Sequence, residues 1–169
     1  QISKSDRFSF YIRPMQTEQI YYPSLDSIKS ALKNLSGVAF ETPLGKNFNM
    51  SKELDATILF KREDLQVVRS YKIRGAYNKM SSLNDVEKKL GIVCASAGNH
   101  AQGVALSCKL LQIKGTIFMP SPTPNQKINQ VKMFGEDFIN IVLEGDTFDD
   151  AFNAAKLECD AKNKIFIHP

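Results

Sequence analysis

Lys72 is the residue of this sequence best placed to do chemistry, because it stands where a predicted helix begins. A short apolar run, Thr57–Phe60, predicts a buried strand, and a polar loop connects that strand to Lys72. The apolar residues behind the lysine recur at helical spacing: Ile73, Ala76, Tyr77, Met80 and Leu83. A lysine at a strand-to-helix junction lies at the edge of an open parallel sheet where ligands bind. A lysine at a helix start can also be a solvated surface residue. A second motif is therefore needed to distinguish a ligand-binding lysine from a surface one.

The second motif is a turn of small residues, Ser96-Ala97-Gly98-Asn99-His100, that follows an apolar strand and opens the next helix. Small residues let the backbone approach a ligand closely, and a helix N-terminus offers free N–H groups to an anion. In a doubly wound sheet the carboxyl ends of the strands lie on one edge, so this turn and the Lys72 loop should face the same crevice. A lysine amine beside an anion-binding turn suits covalent chemistry on a substrate that carries a carboxylate.

Strands and helices alternate along the chain from residue 57 onward, which predicts an α/β fold with a doubly wound parallel sheet. Apolar runs without in–out alternation predict strands that are buried on both faces: Thr57–Phe60, Ile92–Ala95, Thr116–Met119, Phe138–Leu143 and Ile165–Ile167. Amphipathic stretches between these runs predict the helices. Ser24 is the predicted N-cap of an earlier helix that runs to about Leu35, and Thr147 with Asp150 resembles a capping box.

The net charge, the lengths of the apolar runs and the cysteine spacing limit the kinds of partner and ligand that we expect for this chain. The net charge of +4 comes from interleaved acidic and basic residues without a basic stripe, so we expect no nucleic-acid partner. No apolar run approaches the ~20 residues of a membrane span, so we expect no membrane partner. Cys94, Cys108 and Cys159 lack the spacing of a metal site or a redox pair, which predicts buried thiols in a reducing, cytoplasmic setting.

The order and spacing of the two motifs resemble those of a known family. The matching stretches are Glu63-Asp64-Leu65-Gln66, Ser70-Tyr71-Lys72-Ile73-Arg74-Gly75-Ala76 and Ser96-Ala97-Gly98-Asn99-His100-Ala101-Gln102-Gly103. They are similar to the threonine dehydratase (threonine ammonia-lyase) family of fold-type-II pyridoxal-phosphate enzymes, in particular its biosynthetic type. The resemblance extends from about Ala39 to Pro169, and it implies pyridoxal 5′-phosphate as the cofactor and no metal.

The resemblance also implies roles for individual residues. Lys72 would hold the cofactor covalently and serve as the general base, Tyr71 would pack against the pyridine ring, and Asn99 would hydrogen-bond the cofactor's phenolic oxygen. The loop that binds the substrate carboxylate would consist of Ser96, Ala97, Gly98, Asn99 and His100. We expect His100 to shape this loop rather than to transfer protons, because a helix start disfavours the charged imidazole.

The activity implied by the resemblance is the conversion of L-threonine to 2-oxobutanoate and ammonia, the first step toward isoleucine. L-Serine remains open as a substrate, and a homo-oligomer is expected at full length. By the same resemblance, residues 1–52 form an arm and helix of a large domain, 53–163 the small α/β domain, and 164–169 the return to the large domain. The nine glycines are all isolated, so the family's glycine-rich phosphate loop has no counterpart here. We therefore expect the 169-residue piece to be inactive by itself.

Two other functions share these features. Serine racemase and the catabolic serine/threonine dehydratases carry both motifs, but the racemase turn has a serine as a proton donor where this sequence has Ala97. That difference favours elimination over racemisation. A non-catalytic binding or assembly module is the alternative from another class, and the presence of both Lys72 and Asn99 argues against it.

Overall fold

The computed structural model describes residues 22–169, so most of the arm expected before the first helix lies outside the described residues. The helices are α1 (Leu25–Asn34), α2 (Phe48–Glu53), α3 (Lys72–Ser81), α4 (Asp85–Leu90), α5 (Asn99–Leu111), α6 (Asn125–Gly135) and α7 (Phe148–Lys162). The strands are β1 (Leu44–Lys46), β2 (Leu59–Lys61), β3 (Ile92–Ala95), β4 (Gly115–Met119), β5 (Ile139–Leu143) and β6 (Ile165–Phe166).

The predicted parallel sheet is confirmed for the last four strands. They pair in the order β5-β4-β3-β6, with every neighbour parallel. Val93 lies opposite Thr116 on one side and opposite Phe166 on the other. Every residue of β3 and β4 is buried, as expected for central strands that are covered on both faces.

Helices cover both faces of this sheet, which confirms the doubly wound arrangement. Apolar residues of α3, α5 and α6 pack on the face that carries Cys94, Ile117 and Met119, whereas α7 packs on the face that carries Val93 and Phe118. Alternate residues of a strand point to opposite faces, so each strand serves both layers.

The three cysteines are buried and unbonded, as the sequence predicts. Burial raises the pKa of the Cys108 thiol to about 12, and it raises the pKa of Cys94 and Cys159 as well. Since the thiolate is the reactive form of cysteine, these side chains serve packing.

The prediction of a buried strand at Thr57–Phe60 is wrong. The strand there is β2, which pairs antiparallel with β1 in a separate two-stranded sheet, with Leu44 opposite Lys61. The side chains of Leu59 and Phe60 are 50% and 42% exposed, because no layer of the described chain covers this small sheet. Consequently the chain does not enter Lys72 from a strand of the parallel sheet.

Helix caps follow local sequence closely. Ser24 caps α1 by accepting from the N–H of Ser27 at 3.1 Å, and the capping box of Thr147 and Asp150 opens α7. The short helices α2 and α4 are not among the predictions. Helix α4 begins with a capping box of Asn84 and Glu87, a pattern that can be recognised from the sequence.

Glu63 is the centre of a polar network that ties the segment before β1 to the first turn of α3. Its carboxylate accepts from Nε and Nη2 of Arg74 at 2.8 and 2.9 Å, from Oγ1 of Thr42 at 2.6 Å and from Nε2 of Gln66 at 3.2 Å. Gln66 Nε2 and Arg74 Nη2 also donate to the carbonyl oxygen of Phe40, each at 2.9 Å. These donors, above all Arg74, lower the pKa of Glu63 to about 2 from an ordinary value of 4.5.

We expect Glu63 to stabilise the fold at neutral pH and to lose this effect in acid. Because its pKa is lower in the folded state, its contribution is present above about pH 4.5 and is lost as the pH falls toward about 2. Glu63→Gln should reduce the apparent free energy of unfolding of the full-length protein by about 2 kcal/mol near neutrality. Urea unfolding at stepped pH should show that difference shrinking across this window.

Asp64→Asn is the matched control for this experiment. Asp64 lies in the same short 3₁₀ turn and also pairs with an arginine, Arg62, but the two side chains are 57% and 49% exposed. Exposed ion pairs contribute little. A Glu63→Gln difference that stays constant from neutral pH down to about 2, or one no larger than that of Asp64→Asn, would contradict the assignment.

Candidate active site

Lys72 is the first residue of α3, as predicted, and α3 rests directly on α5. The contact is closest at Gly103, where an added Cβ would lie 3.1 Å from both the carbonyl carbon and the carbonyl oxygen of Lys72. The same Cβ would lie 3.2 Å from the backbone nitrogen of Ile73. The missing side chain therefore lets the backbone of α5 reach the start of α3.

This packing brings the two sequence motifs into one cavity of about 270 Å³. The cavity is lined by Tyr71, Lys72, Gly75, Ala76, His100, His168 and Pro169. The expectation that Lys72 and the small-residue turn face the same crevice is confirmed for Lys72 and His100. The route differs from the predicted one, because Lys72 reaches the carboxyl edge of the sheet through helix packing rather than from the end of a strand.

The turn that opens α5 leaves its first amides free. Gly98 is the N-cap residue and has no side chain to cap the helix, and the first helical hydrogen bond runs from the N–H of Gln102 to the carbonyl of Gly98 at 3.3 Å. The N–H of Gly98 itself donates to Oγ of Ser96 at 3.2 Å. The amides of Asn99, His100 and Ala101 therefore lack an acceptor within the helix, which makes this end suitable for an anion.

The predicted loop residues occupy different environments within this turn. Ser96 is buried at the end of β3, Ala97 packs partly buried against the core, and the side chain of Asn99 is exposed. Only His100 of this loop lines the cavity with Lys72. The structure thus brings Tyr71, Lys72 and His100 together and places the other loop residues one turn or less away along the chain.

His100 is held as a neutral, structural side chain. Its Nε2 lies 3.0 Å from the carbonyl oxygen of Ile167, and since a carbonyl can only accept, Nε2 carries the proton. Burial lowers the pKa of His100, the hydrogen bond to the Ile167 carbonyl opposes this change, and the neighbouring Lys72 and His168 lower the pKa further. A neutral imidazole that spans two elements agrees with the predicted shaping role.

His168 is a cavity residue that is missing from the sequence predictions. Its ring lies 5.0 Å from that of Phe166 and 5.8 Å from that of Phe152, centroid to centroid. The sequence could have indicated His168 as a cavity residue, because it comes just after β6. The carboxyl ends of parallel strands border the ligand-binding edge.

The comparisons with known proteins agree with this geometry. Residues 35–169 match the family described as pyridoxal-phosphate dependent enzyme. The chain belongs to this family. It is 54% identical over 149 residues to the biosynthetic L-threonine dehydratase of Bacillus subtilis and 53% identical over 146 residues to that of Halalkalibacterium halodurans. Each match covers 86% of this chain and 35% of the relative, so the chain spans about a third of the length of these curated relatives.

Solved structures of family members share the fold. The processed form of threonine deaminase isoform 2 from Solanum lycopersicum superposes with a TM-score of 0.75 at 39% identity, over 86% of this chain and 40% of that one. Maize serine racemase superposes with a TM-score of 0.80 at 30% identity, over 88% of this chain and 44% of that one.

The residues present fit the pyridoxal-phosphate cofactor of the family. Lys72 is partly buried and opens into the cavity, beside the free amides of α5. Two residues earlier, the hydroxyl of Ser70 is buried without a hydrogen-bond partner in the described part of the chain. Buried polar groups are nearly always paired, so this hydroxyl has an unused hydrogen bond next to the lysine. The fit therefore rests on the lysine, on the free amides at the start of α5 and on an unpaired hydroxyl two residues before the lysine in sequence.

Other kinds of functional site have less support than the Lys72 cavity in the part of the chain that the structure describes. No group of histidine, cysteine or carboxylate side chains within residues 22–169 could hold a metal ion. No helix among these residues is long and apolar enough to cross a membrane. A cavity of about 340 Å³ at the amino ends of the strands contains Lys164, but its ammonium already donates to Glu158 at 2.7 Å and to Thr116 at 2.8 Å.

The close contact at Gly103 can be tested with two helical glycines. Alanine normally stabilises a helix interior by about 0.5–1 kcal/mol relative to glycine. Gly75→Ala should show this gain, because nothing lies within 4 Å of its added Cβ. Gly103→Ala should show no gain or a loss, because its Cβ meets the Lys72 backbone. Thermal unfolding of both full-length variants measures the difference, and an equal gain in each would contradict the close contact.

Proposed function

We propose that the full-length protein containing this chain is a pyridoxal-phosphate dependent L-threonine dehydratase that produces 2-oxobutanoate and ammonia. The observation that carries the proposal is the meeting of Lys72 with the uncapped start of α5 in one cavity. Threonine dehydratases about 50% identical to the chain over nearly its whole length support this choice of substrate. The reaction belongs to the formation of isoleucine from threonine.

Lys72 has two tasks in the proposed reaction. Its amine would hold the cofactor covalently between turnovers, and as a free amine Nζ would accept the proton from the substrate Cα. When bound, pyridoxal phosphate supplies an electron sink for that proton abstraction. The β-hydroxyl would leave as water by taking up the proton that Nζ removed from Cα, and addition of one water to the released unsaturated amine would give the 2-oxo acid and ammonia.

The turn at the start of α5 binds the substrate carboxylate in this proposal. The free amides of Asn99, His100 and Ala101 point their partial positive charge at the anion. Ser96, Ala97 and Gly98 shape the approach, since their small side chains leave the backbone accessible.

Two further side chains orient the cofactor. We assign Asn99, whose amide is exposed at the helix start, to the cofactor's phenolic oxygen. Tyr71 lines the cavity with its ring centroid 5.6 Å from Nζ of Lys72, and we assign it to packing against the cofactor ring. Both assignments rest on position within the motifs and on the cavity.

The division of the chain into domains is also proposed. Residues 1–52 would belong with the large domain, 53–163 would form the small domain, and 164–169 would begin the return. Exposed apolar side chains on α1 and α2 support this division: Leu25 at 65%, Leu32 at 69% and Phe48 at 76%. We further propose a cytoplasmic homo-oligomer without nucleic-acid or membrane partners, in line with buried free cysteines and mixed surface charge.

Serine racemase is the second candidate, favoured by the TM-score of 0.80 to the maize enzyme. Racemisation requires a proton donor on the face of the substrate opposite the general base. The resembling racemase turn carries a serine there, whereas Ala97 has no proton to give. Elimination is therefore the better-supported reaction, with L-serine as an alternative substrate.

Replacing Lys72 tests the proposed function directly. Lys72→Ala in the full-length protein should lower 2-oxobutanoate formation at least about a thousandfold, because both the covalent attachment and the base are lost. Borohydride reduction followed by peptide mass spectrometry should find the cofactor on Lys72 in the wild type. Lys79→Ala is the matched control, since Lys79 is exposed in the last turn of the same helix. Wild-type turnover by Lys72→Ala would refute the proposal.

The role of Ala97 is tested by chirality. The full-length wild type incubated with L-serine should release pyruvate without accumulating D-serine, because the second face lacks a proton donor. Ala97→Ser should produce measurable D-serine by chiral chromatography. D-Serine formed by the wild type as fast as pyruvate would favour the racemase instead.

A further inference from the structure

The start of α3 carries Lys72, yet no side chain caps this end of the helix. A helix of ten residues has little stability by itself, so its position depends on tertiary contacts. One such contact is the backbone of α5 at Gly103. The loop that leads into α3 holds Arg69 at a φ of +58°, a conformation that costs free energy and must be maintained by tertiary contacts.

Arg74 provides the second contact. It lies in the same first turn as Lys72, and its Nε and Nη2 reach the two different oxygens of Glu63 at 2.8 and 2.9 Å. A two-pronged pair of this kind fixes orientation as well as distance. The side chains of Arg74 and Glu63 are 33% and 17% exposed, so the pair is shielded from much of the solvent.

The network around Glu63 also holds a third segment. Thr42 donates to Glu63, and Phe40 exchanges two hydrogen bonds with Gln66, whose side chain is fully buried. The first turn of α3 is thus held both by α5 and, through Glu63 and Arg74, by residues 40–42.

We propose that Glu63 is a positioning residue for Lys72: through Arg74 it sets where the first turn of α3 stands, and so where the lysine amine can reach. This inference rests on the proposed function, in which the amine must serve at two positions, on the cofactor and at the substrate Cα. Displacement of a reacting group by about 1 Å can cost roughly a hundredfold in rate. Holding the helix start therefore matters to the reaction beyond its effect on folding.

The experiment compares two carboxylates in one 3₁₀ turn. Glu63→Gln and Asp64→Asn both replace a carboxylate that pairs with an arginine, but Asp64 and Arg62 bond only to each other among the described side chains. Full-length protein stripped of cofactor is mixed with pyridoxal phosphate, and the rate of borohydride-reducible attachment to Lys72 is followed by mass spectrometry. We expect attachment to slow about tenfold to a hundredfold in Glu63→Gln and less than about twofold in Asp64→Asn.

Two more readouts separate positioning from a purely structural role. In Glu63→Gln, kcat for L-threonine should fall while KM changes little, because the carboxylate turn of α5 is untouched. Arg74→Lys keeps the positive charge but loses the two guanidinium nitrogens that bond both oxygens of Glu63. We therefore expect this variant to behave like Glu63→Gln. Wild-type attachment rates in Arg74→Lys would show that charge alone suffices and would overturn the proposal.

The outcomes distinguish this inference from the function on which it rests. If the wild type takes up no cofactor on Lys72, the proposed function fails and the positioning role fails with it. If the wild type takes it up and Glu63→Gln does so equally fast, only the positioning role is overturned. If Glu63→Gln does not fold, Arg74→Lys decides by the same rates.

Discussion

The contact between Gly103 and the backbone of Lys72 is the constraint on which the site depends. A Cβ at that position would lie 3.1 Å from the carbonyl of Lys72, which is tighter than most real Cβ contacts, so glycine lets α5 and the start of α3 lie this close without displacing either helix. Through this contact the lysine lies at the carboxyl edge of the four-stranded parallel sheet. The strand that precedes the lysine in sequence, β2, belongs to the other sheet. At that carboxyl edge, His100 from the uncapped first turn of α5 lines the cavity together with Lys72.

Charge and burial divide the work among the residues of this cavity. Burial, together with the neighbouring Lys72, favours the neutral form of His100, and its Nε2 proton is donated to the carbonyl of Ile167. In the function we propose, proton transfer is therefore assigned to Lys72. Glu63 stands outside the cavity, but its fully used carboxylate anchors the turn that carries the lysine.

Much of this arrangement can be predicted from local chemistry. Ser24 and the Thr147–Asp150 box cap their helices through contacts three residues apart, and the apolar runs at β3 and β4 are long enough to indicate buried strands. The apolar run at Thr57–Phe60 led to a wrong prediction of a strand buried in the parallel sheet. Hydrophobic residues indicate a tendency to be buried, but they do not indicate which element covers them. Its pairing with β1, the bond from Arg74 to Glu63 and the approach of Gly103 to Lys72 all join residues far apart in sequence, so local patterns cannot specify them.

In the function we propose, Lys72 and the start of α5 form one site for a cofactor-bound amino acid. A crystal structure of the full-length protein with pyridoxal phosphate and an unreactive threonine analogue would show whether they do. We expect the analogue's carboxylate within hydrogen-bond distance of the amides of Asn99, His100 and Ala101, with Nζ of Lys72 facing its Cα. A carboxylate bound elsewhere, or a cofactor out of reach of Lys72, would refute this arrangement.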